Sequence, residues 1–224
     1  MKDILINGSR ELNVPITEAQ AESLITYAGL LKEWNEKMNL TAISDDFGIA
    51  VKHFLDSMTA ISTGLIQGKV IDVGCGAGFP GLVLKIAKPE IELTLLDSLK
   101  KRLTFLEAVT TELHISDVVL EHSRAEDGAR RMREKFDTVV SRAVANMSVL
   151  SELCLPFLKP GGYFLALKGP LAEQELKDAG RAIDILGGVD IDITEDERLC
   201  AVVNTAYRVI LVAGNNHSLN GYII

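Results

Sequence analysis

The sequence of 224 residues lacks the features of a membrane or secreted protein. No apolar run reaches the length of about 18 residues that a transmembrane helix needs. The first residues, MKDILINGSR, contain no basic stretch followed by a long apolar segment and a cleavage site. Cysteine is scarce, since Cys75, Cys154 and Cys200 are widely spaced and odd in number, which predicts neither a disulfide framework nor a zinc cluster. We therefore expect a cytoplasmic protein without membrane contact or bound metal.

The sequence also lacks the basic excess that is typical of nucleic-acid-binding proteins. The net charge is −8, but the acidic excess lies in the flanks. Residues 1–68 carry five Lys or Arg against nine Asp or Glu, and residues 169–224 carry four against nine. Residues 69–168 carry fourteen against thirteen. Charge therefore argues against steering of RNA by the whole surface, yet it leaves room for a local basic face.

The first 65 residues have helical periodicity. Thr17 and Gln20 form a predicted capping box, and apolar residues then recur at three- and four-residue spacing as far as Met38. A second helical stretch is predicted from Gly48 to about Ile61. Residues 1–65 are therefore interpreted as a helical cap that precedes the main domain.

From Lys69 onward, short β-branched runs alternate with amphipathic segments of helical length, which predicts βαβ units. The fold class expected for residues 66–224 is α/β, Rossmann-like and doubly wound, with a seven-stranded, mostly parallel sheet that ends in an antiparallel hairpin. The predicted strands are 69–73, 92–96, 117–121, 136–141, 162–167, 189–194 and 202–213. The predicted helices are 80–88, 98–113, 147–158 and 171–186.

A glycine-rich segment, Val70-Ile-Asp-Val-Gly-Cys-Gly-Ala-Gly-Phe-Pro-Gly81, connects the first predicted strand to the first predicted helix. A ligand at this position would meet free backbone amides beyond the strand ends. Gly76 to Gly81 fits the dinucleotide pattern G-x-G-x-x-G, which alone is a weak match to an NAD(P)-dependent oxidoreductase. An alternative is a tight turn that binds nothing, with Asp72 capping locally.

A second frame fits the same segment better. Asp72 precedes Gly74, Gly76 and Gly78 at alternate positions, which resembles the first motif of S-adenosylmethionine-dependent methyltransferases. A carboxylate there would hold the cofactor ammonium. Asp97 at the end of the second strand would accept the ribose hydroxyls, although NAD-binding proteins place an acid there too. The loop frame and the late hairpin together favour the methyltransferase.

The residues after the fourth predicted strand reduce the number of atoms that could accept the methyl group. Enzymes that methylate exocyclic amines of bases usually carry an Asp/Asn-Pro-Pro-aromatic segment there, whereas this chain continues Arg142-Ala-Val144. Methylation at C5 of a pyrimidine needs a cysteine nucleophile, and no cysteine is placed for it. The remaining acceptors include guanine N7, which needs no general base. Arg142 would bind guanine O6, a phosphate or the cofactor carboxylate, or else pair with a neighbouring acid.

Several separate segments together resemble one family, the bacterial small-subunit (16S) ribosomal RNA guanine-N7 methyltransferases, also called the glucose-inhibited division protein B family. The resemblance spans roughly residues 15 to 213. The segments that carry it are Trp34-Asn35, Asn39-Leu-Thr-Ala-Ile43, His53-Phe-Leu-Asp-Ser57, Asp72 to Gly81, Leu95-Leu-Asp-Ser98, Lys101-Arg102, Phe105-Leu106, Ser141-Arg-Ala143 and Ala166-Leu-Lys-Gly169.

The resemblance implies S-adenosylmethionine as cofactor and a guanine N7 in 16S ribosomal RNA or the small ribosomal subunit as acceptor. We expect a monomer. The expected catalytic residues are Arg142 and Lys168, the latter on RNA phosphate or the base. The expected cofactor-binding residues are Asp72, Gly74, Gly76, Phe79, Asp97, Ser98, Ala125, Glu126 and Arg142.

Further candidates remain open between two interpretations. Lys100 to Arg102, and the basic residues from Arg124 to Lys135 in the predicted loop before the fourth strand, either follow RNA phosphates or form a solvated surface. His53 is either a packed, hydrogen-bonded histidine or an RNA contact. Asn39 and Thr41 lie in the loop between cap and domain and are candidates for the substrate entrance.

Three other functions stay open from the sequence: a methyltransferase for a small molecule or protein, an NAD(P)-dependent oxidoreductase, and a catalytically idle RNA-binding protein. The end of the chain, Gly214 to Ile224, departs from the proline- and lysine-rich tail that family members often carry. That departure removes one expected RNA contact.

Overall fold

The computed structural model describes residues 1–142, 144–168, 172–188, 192–193, 199–201 and 207–213. Its helices are α1 (Lys2–Glu11), α2 (Glu18–Met38), α3 (Asp46–Gly48), α4 (Asp56–Ser62), α5 (Gly81–Ala87), α6 (Lys100–Glu112), α7 (Ala125–Met132), α8 (Met147–Cys154) and α9 (Ala172–Ile185). A π-helical segment, Ile49–Leu55, joins α3 to α4, and a 3₁₀ turn, Leu155–Phe157, follows α8. The strands are β1 (Lys69–Val73), β2 (Glu92–Asp97), β3 (Val118–His122), β4 (Phe136–Arg142), β5 (Leu158–Lys168), β6 (Asp192–Ile193), β7 (Leu199–Ala201) and β8 (Tyr207–Ala213).

The strands form one sheet in the order β3-β2-β1-β4-β5-β8-β7-β6. All pairs from β3 to β8 in that order are parallel, whereas β7 is antiparallel to both β8 and β6. The order reverses between β1 and β4, so the carboxyl ends of these strands open the crevice where ligands of doubly wound sheets bind. The predicted α/β class with a mostly parallel sheet is confirmed.

The prediction of seven strands that end in one hairpin differs from the structure. The described residues form eight strands, and the segment predicted as a hairpin loop contains β7. The apolar tripeptide Leu199-Cys-Ala201, directly after the charged run Glu195 to Arg198, supplies this extra strand. It pairs with β8 through Leu199 opposite Val212 and with β6 through Cys200 opposite Ile193.

Two helices were missed by the sequence analysis. Residues 2–11 had no assigned helix within the cap, and α7 was assigned to a loop because its apolar residues, Ala125, Ala129 and Met132, are few and lie among a dense run of charges. The charges of α7 nevertheless suit a helix. Glu126 and Asp127 lie in its first turn and Arg130 and Arg131 in its last, which complements the helix dipole.

The two faces of the sheet are covered by different parts of the chain. Along β1, Val70 belongs to a core shared with the N-terminal helices, α5 and α6, whereas Ile71 and Val73 belong to a core with α8 and α9. This alternation follows from the two-residue period of a strand. Residues 1–65, the predicted helical cap, therefore pack on one face of the sheet. No helix within the described ranges is long and apolar enough to cross a membrane.

Helix α2 is tied directly to the glycine-rich segment. The predicted capping box of Thr17 and Gln20 is confirmed, and α2 then buries Leu24, Tyr27 and Leu31. The Tyr27 hydroxyl donates a hydrogen bond to the Ala77 carbonyl, and its ring stacks on Phe79 with centroids 5.6 Å apart. The cap thus fixes the backbone of the loop that follows β1.

We expect Tyr27→Phe to lower the free energy of unfolding by about 1–2 kcal/mol, because it leaves the buried Ala77 carbonyl without its donor. Urea denaturation of the purified protein measures this loss. The ring contacts with Phe79 remain in this variant, so Tyr27→Leu, which removes ring and hydroxyl, should be less stable still. A Tyr27→Phe protein as stable as the wild type would show that the hydroxyl does not support the loop.

Candidate active site

A cavity of about 610 Å³ opens at the carboxyl ends of the central strands. The loop after β1, the end of β2, the start of α7 and the end of β4 form one part of its wall. Leu40, Thr41 and His53 from the N-terminal helical segment form the other. The cavity therefore lies between the sheet and the cap, where a cofactor and an acceptor could meet.

The loop after β1 is fastened to β2. The amides of Gly74 and Cys75 both donate to the Leu96 carbonyl, at 2.9 and 3.1 Å. The Gly76 amide donates to the Asp97 carboxylate at 2.9 Å. These bonds hold the glycines at the cavity surface in a fixed conformation.

Two of these glycines leave room for a ligand or for a close contact. Gly76 has a φ of +57°, and a Cβ there would have only the Gly74 carbonyl oxygen nearby, at 4.0 Å, so it would project into open space. Gly74 has a φ of +74°, and a Cβ there would lie 2.6 Å from the Val144 side chain. Because L side chains rarely adopt these angles, glycine suits both positions. A side chain at Gly76 would occupy cavity space that a cofactor needs in order to lie against the main chain, so this loop fits the predicted cofactor.

Asp97 lies on the floor of the cavity and is only 2% exposed. Its carboxylate accepts from the amides of Gly76 and Leu99, at 2.9 and 2.8 Å, and from the Arg102 guanidinium at 3.1 Å. A carboxylate has about four lone-pair sites, so one remains for a hydroxyl of a ligand. The sequence placed Arg102 in a motif and in a basic cluster that follows RNA phosphates or forms a solvated surface, whereas the structure pairs it with Asp97.

Asp72 differs from its expected role. It is fully buried, lies beneath the glycine loop and is not among the residues that line the cavity. Its Oδ2 accepts from the Gly81 amide at 2.8 Å, while Oδ1 has no partner among the described residues. Burial raises the pKa of Asp72 to about 7, although the Gly81 hydrogen bond opposes this rise. Asp72 therefore accepts a hydrogen bond from the first amide of α5, which begins at Gly81.

Phe79, His53 and Arg142 form a layered group on the cap side of the cavity. The His53 ring stacks on Phe79 with centroids 4.4 Å apart and planes 18° apart. The Arg142 guanidinium carbon lies 5.1 Å from the centre of the Phe79 ring, within the range of a cation–π contact. The three residues, from the glycine loop, the π-helical segment and β4, line the cavity together.

Arg142 is held mainly by the helical cap. Its Nη1 donates to the Asp56 carboxylate at 2.7 Å and to the Lys52 carbonyl at 3.1 Å. Its Nη2 lies 3.3 Å from His53 Nδ1. The pairing with a neighbouring acid and the place in the cavity wall, which the sequence presented as alternatives, therefore occur together.

His53 is neutral at physiological pH. Burial, and then the nearby Arg142 charge, lowers the pKa of His53 to about 4. Its Nε2 lies 2.8 Å from the Thr41 hydroxyl. Both ring nitrogens are thus engaged, which makes His53 a packed, hydrogen-bonded histidine that also borders the cavity.

The opposite end of the cavity is formed by residues that follow β2 and β3 and by the start of α7. Ser98, Ser123, Ala125 and Glu126 all line it. The Ser123 hydroxyl oxygen is buried without a partner among the described residues. An unpaired polar atom here suits a ligand with its own donors and acceptors, such as an adenine ring. Ser123 was missed by the sequence analysis, although it follows the third predicted strand at its carboxyl end.

Lys168, predicted to be catalytic, does not line the cavity. It is 9% exposed, and its Nζ donates to the Glu175 carboxylate at 2.7 Å and to the Ala145 carbonyl. Lys168 therefore ties the end of β5 to the turn after β4 and to α9. The Glu175 carboxylate neutralises the charge of Lys168. The Lys168 side chain is therefore directed toward α9, whereas it was expected to contact RNA.

The basic residues predicted to crowd a loop lie on α7 and in the turn after it. Arg130 and Arg131 pair with Asp127 and Glu121, and Arg133 pairs with Glu134. Arg124 lines the cavity at the start of α7. Most of this cluster is thus paired with acids on the protein surface, and Arg124 is the member that reaches the site.

Comparison with known proteins identifies related chains. A family model described as rRNA small subunit methyltransferase G matches residues 20–200. A ribosomal RNA small subunit methyltransferase G from Alkaliphilus oremlandii is 55% identical over 192 residues, which cover 84% of this chain and 80% of that protein. A protein of the same name from Clostridium botulinum (strain Alaska E43 / Type E3) is 51% identical, covering 87% of this chain and 83% of that protein.

A solved structure agrees with the fold. A Methanococcus maripaludis protein described as an S-adenosyl-L-methionine-dependent methyltransferase superposes with a TM-score of 0.53 at 14% identity. The match covers 85% of this chain and 94% of that chain. At this identity the likeness concerns the fold alone.

We expect Asp72→Asn to remove a pH-dependent loss of stability. Between about pH 4 and pH 7 the folded state keeps a proton on Asp72 that the unfolded state releases, so raising the pH through this window destabilises the fold. From pH 5 to pH 8 this amounts to about 3 kcal/mol. His53 acts in the opposite direction below about pH 6.5, because its pKa is lowered on folding.

The difference in melting temperature between Asp72→Asn and the wild type isolates the contribution of Asp72 to stability. The melting temperature of Asp72→Asn, relative to the wild type, should rise as the pH increases from 5 to 8, and the exposed Asp3→Asn should show no such trend. A pH-independent difference would mean that Asp72 is ionised throughout.

Proposed function

The chain belongs to the rRNA small subunit methyltransferase G family, and from that premise we propose that it transfers a methyl group to N7 of a guanine in small-subunit ribosomal RNA. Its cofactor is S-adenosylmethionine. The oxidoreductase suggested by Gly76 to Gly81 is set aside, because the matching family is one of methyltransferases.

The proposed cofactor site follows the cavity from the glycine loop to α7. Asp97 would accept a ribose hydroxyl with its remaining lone pair, and Ser98 lies beside it. Ser123, Ala125 and Glu126 would contact the adenine, Gly74 and Gly76 would lie against the methionine part, and Phe79 would border the methyl group. Arg142 retains donors beyond those used by Asp56, Lys52 and His53, and these would bind the cofactor carboxylate.

The choice of acceptor is supported by the hydrogen-bond partners of the side chains that could act as general bases around the cavity. Among the described lining residues, each potential base near Phe79 is already engaged. Both nitrogens of His53 have partners, and the carboxylate of Asp97 accepts three hydrogen bonds. Such a site suits an acceptor that loses no proton, and guanine N7 is one.

The reaction then needs orientation more than acid–base chemistry. When bound, S-adenosylmethionine supplies a sulfonium methyl group: the N7 lone pair forms the new N–C bond, the S–C bond pair stays on sulfur, and no proton is lost. Phe79 is already stacked by Tyr27 and His53, so the half-buried His53 ring, which borders the cavity, would offer the surface on which the acceptor base can stack. Holding the two reactants in line is worth several kcal/mol of barrier in well-oriented systems, about 7–11 kcal/mol at most.

A cysteine-dependent reaction at pyrimidine C5 is disfavoured by the thiols described. Burial raises the pKa of the Cys75 thiol well above its ordinary value, and Cys75 is 1% exposed. Cys154 is fully buried and its pKa is raised for the same reason. Neither thiol would form a thiolate readily at neutral pH.

The proposed partner is the small ribosomal subunit or its 16S RNA, which implies a cytoplasmic location. We propose that the protein acts as a monomer. In this proposal the helical cap, residues 1–65, faces the acceptor and the domain of residues 66–224 holds the cofactor. Arg124, Lys100 and Lys101 would contact RNA phosphates near the cavity, whereas Lys168 would have a supporting role.

Methyl transfer is tested with tritiated S-adenosylmethionine and small subunits from a strain that lacks this protein. After incubation the RNA is digested to nucleosides, and the label is expected in 7-methylguanosine. Free 16S RNA in a parallel reaction distinguishes RNA from the assembled particle as substrate. Label in another nucleoside, or none despite measured cofactor binding, would contradict the proposed acceptor.

We expect Asp97→Asn to weaken S-adenosylmethionine binding by about 10- to 100-fold, since unpairing buried polar groups costs about 1–3 kcal/mol. Isothermal titration calorimetry measures the change. Asp117→Asn is the matched control, because Asp117 is exposed and asparagine tolerates its positive φ of 58°. Equal affinities of Asp97→Asn and wild type would remove Asp97 from the cofactor site.

We expect Arg142→Lys to lower kcat about 10- to 100-fold while the protein stays folded, because lysine keeps the charge but loses the planar donor set that reaches Asp56, Lys52 and His53. Single-turnover methyl transfer measures the change. Arg130→Lys, at a side chain that is 82% exposed, is the control. A wild-type rate for Arg142→Lys would reduce Arg142 to a structural ion pair.

A further inference from the structure

The Thr41 hydroxyl occupies a position in the cavity wall that the proposed reaction has not yet used. Thr41 lies in the loop after α2, and Asn35 clamps its backbone from both sides. The side-chain Nδ2 of Asn35 donates to the Thr41 carbonyl, and the backbone amide of Thr41 donates to Oδ1 of Asn35, both at 2.9 Å. The hydroxyl is therefore fixed in place.

The direction of the hydrogen bonds along the Arg142–His53–Thr41 chain follows from the chemistry of arginine. A guanidinium only donates, so Nη2 of Arg142 donates to Nδ1 of His53. A neutral imidazole with an accepting Nδ1 carries its proton on Nε2. Nε2 therefore donates to the Thr41 hydroxyl oxygen at 2.8 Å.

The Thr41 oxygen receives a second hydrogen bond, from the Ile43 amide at 3.0 Å. A hydroxyl oxygen has two lone pairs, and these two donors fill both. The hydroxyl proton has no acceptor among the described residues, and Thr41 lines the cavity. An ordinary hydroxyl rotates to donate or accept, but this one can only donate to a ligand.

We propose that Thr41 is a specificity-determining residue that donates its hydroxyl proton to the O6 carbonyl of the acceptor guanine. O6 and N7 lie on the same edge of guanine and both accept hydrogen bonds. Adenine presents an amino group in place of O6, and a hydroxyl that cannot accept leaves that amine unpaired. The network would thus select guanine over adenine without placing a donor on N7. This inference rests on the proposed function, because it presumes a guanine acceptor.

The test combines a protein variant with an RNA variant at the mapped acceptor position. Thr41→Val is nearly isosteric and lacks the hydroxyl, and Thr41→Ser restores it. The RNA carries either guanine or 2-aminopurine, which keeps N7 and the 2-amino group but has hydrogen in place of O6. The exposed Thr104→Val on α6 is the control protein. The rate of tritium transfer and the affinity for S-adenosylmethionine are measured for each pair.

On the guanine substrate, Thr41→Val should be about 10- to 100-fold slower than wild type at unchanged cofactor affinity, and Thr41→Ser should lie within about threefold of wild type. On 2-aminopurine the wild type should be slow, and Thr41→Val should cause little further loss. His53→Phe, which keeps a ring on Phe79 but frees one lone pair of Thr41, should accept adenine at the same position more readily than wild type.

Equal losses of Thr41→Val on both substrates, or a wild-type rate on guanine, would overturn the proposal for Thr41 alone. A wild-type protein that forms no 7-methylguanosine would overturn the proposed function, and this inference with it. The two failures are therefore distinguishable by the behaviour of the wild type.

Discussion

The Arg142 side chain connects three parts of the chain that are far apart in sequence. It extends from the carboxyl end of β4, contacts the Phe79 ring of the glycine loop and is bound by Asp56 and the Lys52 carbonyl of the helical cap. Without this side chain, the cap and the sheet would still share apolar contacts, but the polar wall of the cavity would lose the hydrogen bonds that join β4 to Asp56, Lys52 and His53. Burial first, and then the same guanidinium, lowers the pKa of His53, and the hydrogen bond from Arg142 to Nδ1 leaves Nε2 to donate to Thr41.

A second set of contacts fixes the cofactor side independently of Arg142. Asp97 gathers two backbone amides and Arg102, and the Leu96 carbonyl holds two further amides of the glycine loop. Tyr27 adds a tie from α2. The loop is thus preorganised by hydrogen bonds that its backbone makes with β2 and α2, and few of its atoms have to move when a ligand binds. Such rigidity suits a reaction that depends on alignment of two reactants.

Much of this arrangement was predictable from sequence, because it follows from local patterns. The alternation of β-branched strands and amphipathic helices predicts β1 to β4 closely, and the glycine loop with Asp97 predicts the ligand site at the strand ends. What the sequence could not indicate is the direction of individual side chains. Asp72 and Lys168 carry the expected charges, yet Asp72 turns beneath the loop toward Gly81 and Lys168 turns toward Glu175. Likewise, the apolar period of α7 consists of Ala125, Ala129 and Met132 alone, and the partners of Arg142 lie about 90 residues away along the chain.

We propose that one cavity holds the cofactor between Asp97 and Arg142 and presents its methyl group to the side lined by Phe79 and His53. The most direct test is a crystal structure of the protein with S-adenosylhomocysteine. We expect a ribose hydroxyl on the Asp97 carboxylate, the adenine beside Ser123 and the sulfur directed toward Phe79. A ligand whose ribose lies away from Asp97, or whose sulfur points away from the cap, would rule out this placement of the cofactor.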